Sequence, residues 1–249
     1  MAKYPFALQL YTVRDHIEKD IQGTLHKVKQ AGYDKVEGGG TAGLTHAEFK
    51  KLLDAAGLAA VSVHTSYEEV TANTSATIET AKLYGVEFVA IGGIDGRLTP
   101  DKAGWASCGK ALDQGGAKLR EAGIRLCYHN HNHEFKPIDG EYPLDILFGA
   151  AVPENLGAEI DVYWVRFAGL DPAEVIAQHG GRCPLIHVKD MRDEESRAFA
   201  EVGSGILDWP GIFRACETAG AQWYIVEQDT CEEDSLKSAE ISARFMARQ

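Results

Sequence analysis

Three histidines crowd into five positions at Tyr128-His129-Asn130-His131-Asn132-His133-Glu134, directly after an apolar run. Downstream, Ile160-Asp161, His187-Val188-Lys189-Asp190 and Val226-Glu227-Gln228-Asp229 each put a carboxylate or an imidazole at the end of a similar run. Upstream, Gln9 with Tyr11, then Glu37, then His64 do the same. Imidazole and carboxylate donors with no thiolate among them suit a divalent cation: Mn²⁺, Co²⁺, Zn²⁺, Mg²⁺, Ni²⁺ or Fe²⁺. Taking one donor from each run, the expected ligands are His129 (or His131, which shares its strand face), Asp161, His187 and Glu227. Side chains alternate along a strand, so His187 and Lys189 also share a face.

Residues so distant in the chain meet only if their runs lie side by side in one sheet. One unit recurs: a helix-like stretch ends in Gly and a short apolar strand follows, as in Gln30-Ala-Gly-Tyr-Asp-Lys-Val-Glu37, Ala56-Gly-Leu-Ala-Ala-Val-Ser-Val-His64 and Tyr84-Gly-Val-Glu-Phe-Val-Ala-Ile91. It returns at Ala122-Gly-Ile-Arg-Leu-Cys-Tyr-His129 and Ala219-Gly-Ala-Gln-Trp-Tyr-Ile-Val-Glu227. Gly ends a helix by adopting the left-handed conformation. Runs such as Phe88-Val-Ala-Ile91 are apolar without alternation, as parallel strands covered on both faces must be. Eight strands are expected near residues 6–11, 34–38, 59–64, 87–92, 124–130, 157–162, 184–189 and 222–228, with helical patterns between them. Eight β/α units in 249 residues predict one (β/α)₈ barrel domain spanning residues 1–249. An open doubly wound sheet is the alternative, but no GxGxxG follows the first strand. In a barrel, the carboxyl ends of the strands carry the chemistry, and those ends are where the residues above fall.

Composition narrows the function. Hydrophobic residues make up 45% and charged residues 25%, values of an ordinary globular chain. No apolar run reaches the length of a membrane helix, and the amino terminus lacks a signal-peptide core, so a cytoplasmic protein is expected. With 25 basic and 37 acidic residues the net charge is −12, and no Lys/Arg cluster stands out. Such a chain repels a phosphate backbone, so no nucleic-acid partner is expected. Five cysteines without CxxC spacing read as reduced thiols, most of them filling the core.

Two glycine features offer further chemistry. Glu37-Gly-Gly-Gly40 lets a loop approach a ligand closely or simply turns. Val202-Gly-Ser-Gly205 leads into a helix near the place where barrels often bind phosphate, with Asp208 placed as the helix N-cap. Trp164, Trp209 and Tyr11 either stack on a sugar ring or pack into the core.

The motifs together resemble the sugar phosphate isomerase/epimerase family of xylose isomerase-like TIM barrels, over nearly the whole chain. Leu8-Gln-Leu-Tyr-Thr-Val-Arg-Asp15 is similar to the family's first strand, and Tyr128-His-Asn-His131 with Glu134-Phe135 resembles the YHNH signature of one subgroup. Ile160-Asp-Val-Tyr-Trp164, His187-Val-Lys-Asp190, Val202-Gly-Ser-Gly205 and Val226-Glu-Gln-Asp229 resemble its later motifs. In the family's ketose 3-epimerases a Glu/Asp/His/Glu set holds the metal and the two glutamates move protons. The resemblance carries the Asp onto Asp161, the His onto His187 and the last Glu onto Glu227. The first Glu falls on or near His129, and the epimerases' His three residues after the Asp is replaced by Trp164. Both departures argue against a simple two-glutamate epimerase. The subgroup resembles enzymes that act on keto-sugars or inososes, including lyases and dehydratases.

The resulting expectation is a divalent-metal-dependent sugar or keto-sugar isomerase or epimerase that removes a proton next to a carbonyl and passes through an enediolate. A lyase or dehydratase shares that intermediate and is the alternative. Candidate catalytic groups are Glu227, His131, Glu37 and Lys189. Expected substrate contacts are Gln9, Tyr11, His64, Trp164, Glu134 and Arg192. A phosphodiesterase of the endonuclease branch would need a basic surface, and a non-catalytic sugar-binding barrel would not need the ligand set. A homodimer or homotetramer fits barrels of this kind.

Overall fold

A computed structural model describes residues 3–38 and 42–249. Its eight parallel strands are β1 (Phe6–Gln9), β2 (Lys35–Gly38), β3 (Ala59–Thr65), β4 (Phe88–Ile91), β5 (Arg125–His129), β6 (Gly157–Asp161), β7 (Leu185–Val188) and β10 (Trp223–Val226). They pair in the order β1-β10-β7-β6-β5-β4-β3-β2, and pairing of β1 with β2 closes the barrel. Closure excludes the doubly wound alternative, because an open sheet leaves its edge strands unpaired. Two short strands unforeseen in the sequence, β8 (Asp190–Met191) and β9 (Phe199–Ala200), form an antiparallel pair beyond β7.

The recurring Gly stops behave as expected. Gly85 and Gly220 end their helices with φ of +69° and +81°, a region that L side chains disfavour. Six of the eight strands begin within five residues of a glycine with positive φ, which sets where each enters the barrel.

Strand alternation divides the hydrophobic residues into two cores. Leu8, Val36, Val63, Val89, Leu126, Tyr128, Ile160, Ile186 and Val226 face outward and are sealed by the helices. A smaller cluster of Ala7, Val61, Phe88, Ala90, Cys127, Leu185 and Ile225 fills the barrel interior. This cluster is a dry apolar floor, and the next inward position on each strand stands above it.

Several strands end earlier than the sequence pattern implies. β1 stops at Gln9 and the chain winds into a 3₁₀ turn, Leu10–Val13, so Tyr11 lies on that turn rather than on a strand. β5 stops at His129, leaving His131 on the connecting loop. Among the described residues, no helix is long and apolar enough to cross a membrane.

The long helix Lys102–Glu121 packs closely on its surroundings through glycines. A Cβ at Gly116 would lie 1.9 Å from the carbonyl oxygen of Asn155. Gly116→Ala is therefore expected to cost about 1–3 kcal/mol through overpacking. Gly149→Ala, whose Cβ meets nothing within 4 Å, serves as the control. Thermal denaturation of both variants checks this: equal midpoints would refute the close approach.

Candidate active site

The site stands one strand period above the apolar floor. Gln9 follows Ala7 by two residues, His129 follows Cys127, His187 follows Leu185, and Glu227 follows Ile225. Strand register completes the set, pairing Gln9 with Glu37, His129 with Glu159 and Asp161 with His187. Glu37, Glu159, Asp161, His187 and Lys189 are each at most 1% exposed. Buried charges on this scale persist only when they satisfy one another.

The lower part of the cluster is a carboxylate–imidazole network. Glu37 Oε2 accepts from Gln9 Nε2 at 2.8 Å and lies 2.7 Å from His187 Nε2 and 3.1 Å from His64 Nε2. Its other oxygen accepts from the Ser62 hydroxyl. Glu159 Oε2 lies 3.2 Å from His64 Nε2, 3.2 Å from His129 Nδ1 and 3.5 Å from His187 Nε2. Burial pushes the Glu37 carboxyl up, yet the facing charges of His64 and His187 outweigh it and hold it well below the usual range. Glu159 is pushed up to about 7, by burial first and then by Glu37 beside it. Burial pulls His64 down, but Glu37 and Glu159 more than reverse that and raise it to about 10.

The upper part centres on Lys189. Its ammonium lies 2.6 Å from Glu227 Oε2, 2.8 Å from Asp229 Oδ1 and 3.0 Å from Asp161 Oδ2. Against the cost of burial, Lys189 and His187 hold the Glu227 carboxylate down to about 2. Asp161 is pushed up to about 6, because burial outweighs the pull of Lys189 and His187. Its Oδ1 accepts from the backbone N–H groups of Tyr163 and Trp164 at 3.0 and 3.1 Å and caps the following helix, while Asn130 Oδ1 accepts from its own N–H at 3.0 Å. Asp161 Oδ2 is buried and makes no well-aligned hydrogen bond; its charge is met by the Lys189 ammonium 3.0 Å away.

Among the described residues, two groups of four donors have atoms within 4.8 Å of one another. One is His129, Asp161, His187 and Glu227, the four named from the sequence. The second is His64, His129, Glu159 and His187. Glu159 lies inside its strand, two residues before Asp161, and so is not among the polar strand-end residues that stand out in the sequence. The signal was present: alternation puts Glu159 on the face of Asp161, and a carboxylate within a parallel strand needs a partner.

A cavity of about 580 Å³ opens above the cluster. Gln9, Tyr11, His64, His129, His131, Lys189 and Glu227 reach it, joined by Arg14 and Asp229. Tyr11 is 52% exposed at the mouth, with the Arg14 guanidinium 3.9 Å from its ring centre. Burial and the nearby charges of Lys189 and His133 lower His131 to about 4, which keeps its imidazole neutral.

Other expected residues are placed differently. Glu37 is fully buried, with both oxygens engaged inside the barrel, so it is not a free base facing a substrate. Glu134 is also fully buried and accepts from the Tyr128 hydroxyl at 2.8 Å and the His131 N–H at 2.9 Å, which makes it a brace for the histidine turn rather than a substrate contact. Arg192 is paired with Glu232 beside a separate hollow. Trp164 packs with Tyr163 and Phe167 behind His131 and does not line the cavity. Gly39 and Gly40 lie outside the described residues.

The Gly-Ser-Gly loop is already occupied by the protein's own anion. Asp190 accepts from the N–H groups of Gly203 at 2.9 Å, Gly205 at 3.0 Å and Leu207 at 3.3 Å, and from Trp209 Nε1 at 2.8 Å. The expected phosphate seat is thus filled, and Trp209 is committed to it rather than to a sugar. Asp190 is fully buried, so it does not form a surface pair with Lys189. Asp208 occupies the N-cap position of the helix Trp209–Ala219 without a side-chain cap hydrogen bond.

A closed parallel barrel with an ionisable cluster at the carboxyl ends of its strands defines a (β/α)₈ barrel of the kind that carries chemistry there. The profile of the xylose isomerase-like TIM barrel family matches residues 25–249, and the chain belongs to that family. It is 25% identical over 268 aligned positions to the rhizopine catabolism protein MocC of Rhizobium meliloti, covering 92% of this chain and 81% of MocC. It is 26% identical over 151 positions to the inosose dehydratase of Lacticaseibacillus casei, covering 54% of this chain and 49% of that enzyme. The chain thus spans about half the length of the inosose dehydratase it matches. Among solved structures, a sugar phosphate isomerase/epimerase from Parabacteroides distasonis superposes with a TM-score of 0.84 at 22% identity, covering 99% of this chain and 95% of that one. The zinc-bound IolI protein superposes with a TM-score of 0.73 at 13% identity, covering 96% and 95%.

The filled loop has a measurable consequence. Asp190→Asn removes one carboxylate acceptor from a buried ring of donors, each costing about 1–3 kcal/mol when left unpaired. The thermal midpoint should fall clearly, while inorganic phosphate should leave the wild-type midpoint unchanged. Stabilisation by phosphate would show instead that the loop accepts an external anion.

Proposed function

We propose that this protein is a divalent-metal-dependent enzyme that removes a proton next to the carbonyl of an uncharged keto-sugar or inosose. The observation that carries the reading is the convergence of buried donor atoms from His129, Asp161, His187 and Glu227, all within 4.8 Å of one another, with Asp161 Oδ2 turned toward the site, where the Lys189 ammonium lies 3.0 Å away. Such a donor set suits Zn²⁺, Mn²⁺, Co²⁺ or a similar ion, and these four residues would hold it. When bound, the ion supplies Lewis-acid stabilisation of the negative charge that develops on the substrate oxygen.

The chain's own residues supply the remaining steps. His131 reaches the cavity as a neutral imidazole and is the proton acceptor. Lys189, held as an ammonium by three carboxylates, faces the same space and holds Asp161 and Glu227 in position. His64 lies on the β3 side of the cavity as an imidazolium and is the proton donor. Environments that push two titratable groups apart in this way mark an acid and a base. Gln9 and Tyr11 are placed to contact substrate hydroxyls.

The uncharged substrate follows from the cations. Arg14 donates to the backbone oxygens of Tyr11 and Asp229, Lys189 is paired three ways, and the glycine loop is filled. Among the described residues lining the cavity, no Lys or Arg side chain is left free for a phosphate.

Reprotonation at the same or the neighbouring carbon completes an epimerase or isomerase. Elimination is the second reading, favoured by the likeness to an inosose dehydratase. There the electron pair left by the departing proton expels a β-hydroxyl, which takes a proton from His64 and leaves as water.

Proton NMR in D₂O over a panel of keto-sugars and inososes reports exchange, epimerisation and elimination together. Chelator treatment, Asp161→Ala and His187→Ala should each abolish exchange. His131→Ala should slow it by about 10²–10⁴-fold, the usual contribution of a positioned base. Undiminished exchange after metal stripping and in both ligand variants would refute the reading.

A further inference from the structure

His129 and His187 belong to both donor groups, and each ring turns one nitrogen toward each group. His187 Nδ1 lies 3.0 Å from Glu227 Oε2, while its Nε2 lies 2.7 Å from Glu37 Oε2. His129 Nε2 lies 3.7 Å from Asp161 Oδ2, while its Nδ1 lies 3.2 Å from Glu159 Oε2. A neutral imidazole has one lone pair and one N–H. The nitrogen that binds a cation must be unprotonated, so the other carries the hydrogen. Both rings are at most 2% exposed, and a buried N–H needs an acceptor. For His187 Nε2 that acceptor is Glu37, itself fixed by Gln9 and Ser62. His129 Nδ1 makes no aligned hydrogen bond in this structure, and the carboxylate oxygen within reach of it, 3.2 Å away, is Glu159 Oε2.

We infer that Glu159 is a positioning residue: from beneath the site it takes the Nδ1 hydrogen of His129 and so turns the Nε2 lone pair toward Asp161 and the cation seat. This rests on the metal-dependent reading above. It also accounts for the second donor group without a second ion, because the same two rings cannot offer lone pairs in both directions and keep their protons. The group that contains Glu159 is the hydrogen-bonded support of the group that contains Asp161. Carboxylates in such supporting positions typically govern metal affinity by about 10–100-fold.

The test is a titration of the full-length apoprotein with Co²⁺ alone, read by competition with a chromophoric chelator and by the visible Co²⁺ bands. Glu159→Gln keeps the shape with a weaker acceptor, and Glu159→Leu removes the acceptor. Both should keep the wild-type circular dichroism. Affinity should fall about 10–100-fold, with the larger loss in the leucine variant, and the Co²⁺ bands should shift. Asp161→Asn should lose the ion outright. Wild-type affinity and spectra in both Glu159 variants would overturn the inference. It would equally be overturned if Glu159→Leu abolished binding while Asp161→Asn retained it, since Glu159 would then be a ligand. A wild-type chain that binds no Co²⁺ would instead sink the metal-dependent reading on which this one stands.

Discussion

The whole site depends on one constraint: the inside of a closed parallel barrel is dry, and strand alternation allows only every second residue into it. An apolar tier occupies the first inward positions and blocks water from below. The ionisable residues one period higher have no solvent behind them and must neutralise each other. Glu37 and Glu159 are therefore matched to His64, His129 and His187, and Asp161, Glu227 and Asp229 to Lys189. Breaking one partnership leaves a charge in a medium where it is expensive. The cluster is thus one network rather than a collection of ion pairs.

The same tier is tied to the backbone around it. Asp161 gives one oxygen to a helix start and keeps the other for the site. Asn130, one residue past the end of β5, exchanges hydrogen bonds with the backbone of Asp161 and fixes the two strand ends against each other. Glu134 pins the turn that carries His131. The side chains of the cluster hang from positions that structural hydrogen bonds have already fixed, the kind of anchoring that holds a site still.

Much of this was legible in the sequence. The helix–Gly–strand unit revealed eight β/α elements because left-handed glycines and unbroken apolar strands are local signals. The four donors on β5, β6, β7 and β10 were visible because each ends an apolar run. What stayed hidden depended on depth and curvature. Glu159 sits one period below the strand ends, and Glu37 turns into the same buried tier, so spacing alone did not separate a base facing substrate from a support. Glu134, Trp164 and Arg192 lie past strand ends, where alternation no longer says which way a side chain points. The Gly-Ser-Gly loop looked like an anion cradle and is one; that its anion is Asp190 depends on a fold-back of 13–15 residues, which no local pattern encodes.

That fold-back also reaches the lysine next to it. Residues 189 and 190 follow β7 back to back, one turned into the barrel and the other into the loop. Anchoring Asp190 by donors from four downstream residues immobilises the peptide that launches Lys189. The ammonium is then left only the swing of its own methylene stem, so the clasp on the outside acts as a tether that sets how far the charge inside can travel.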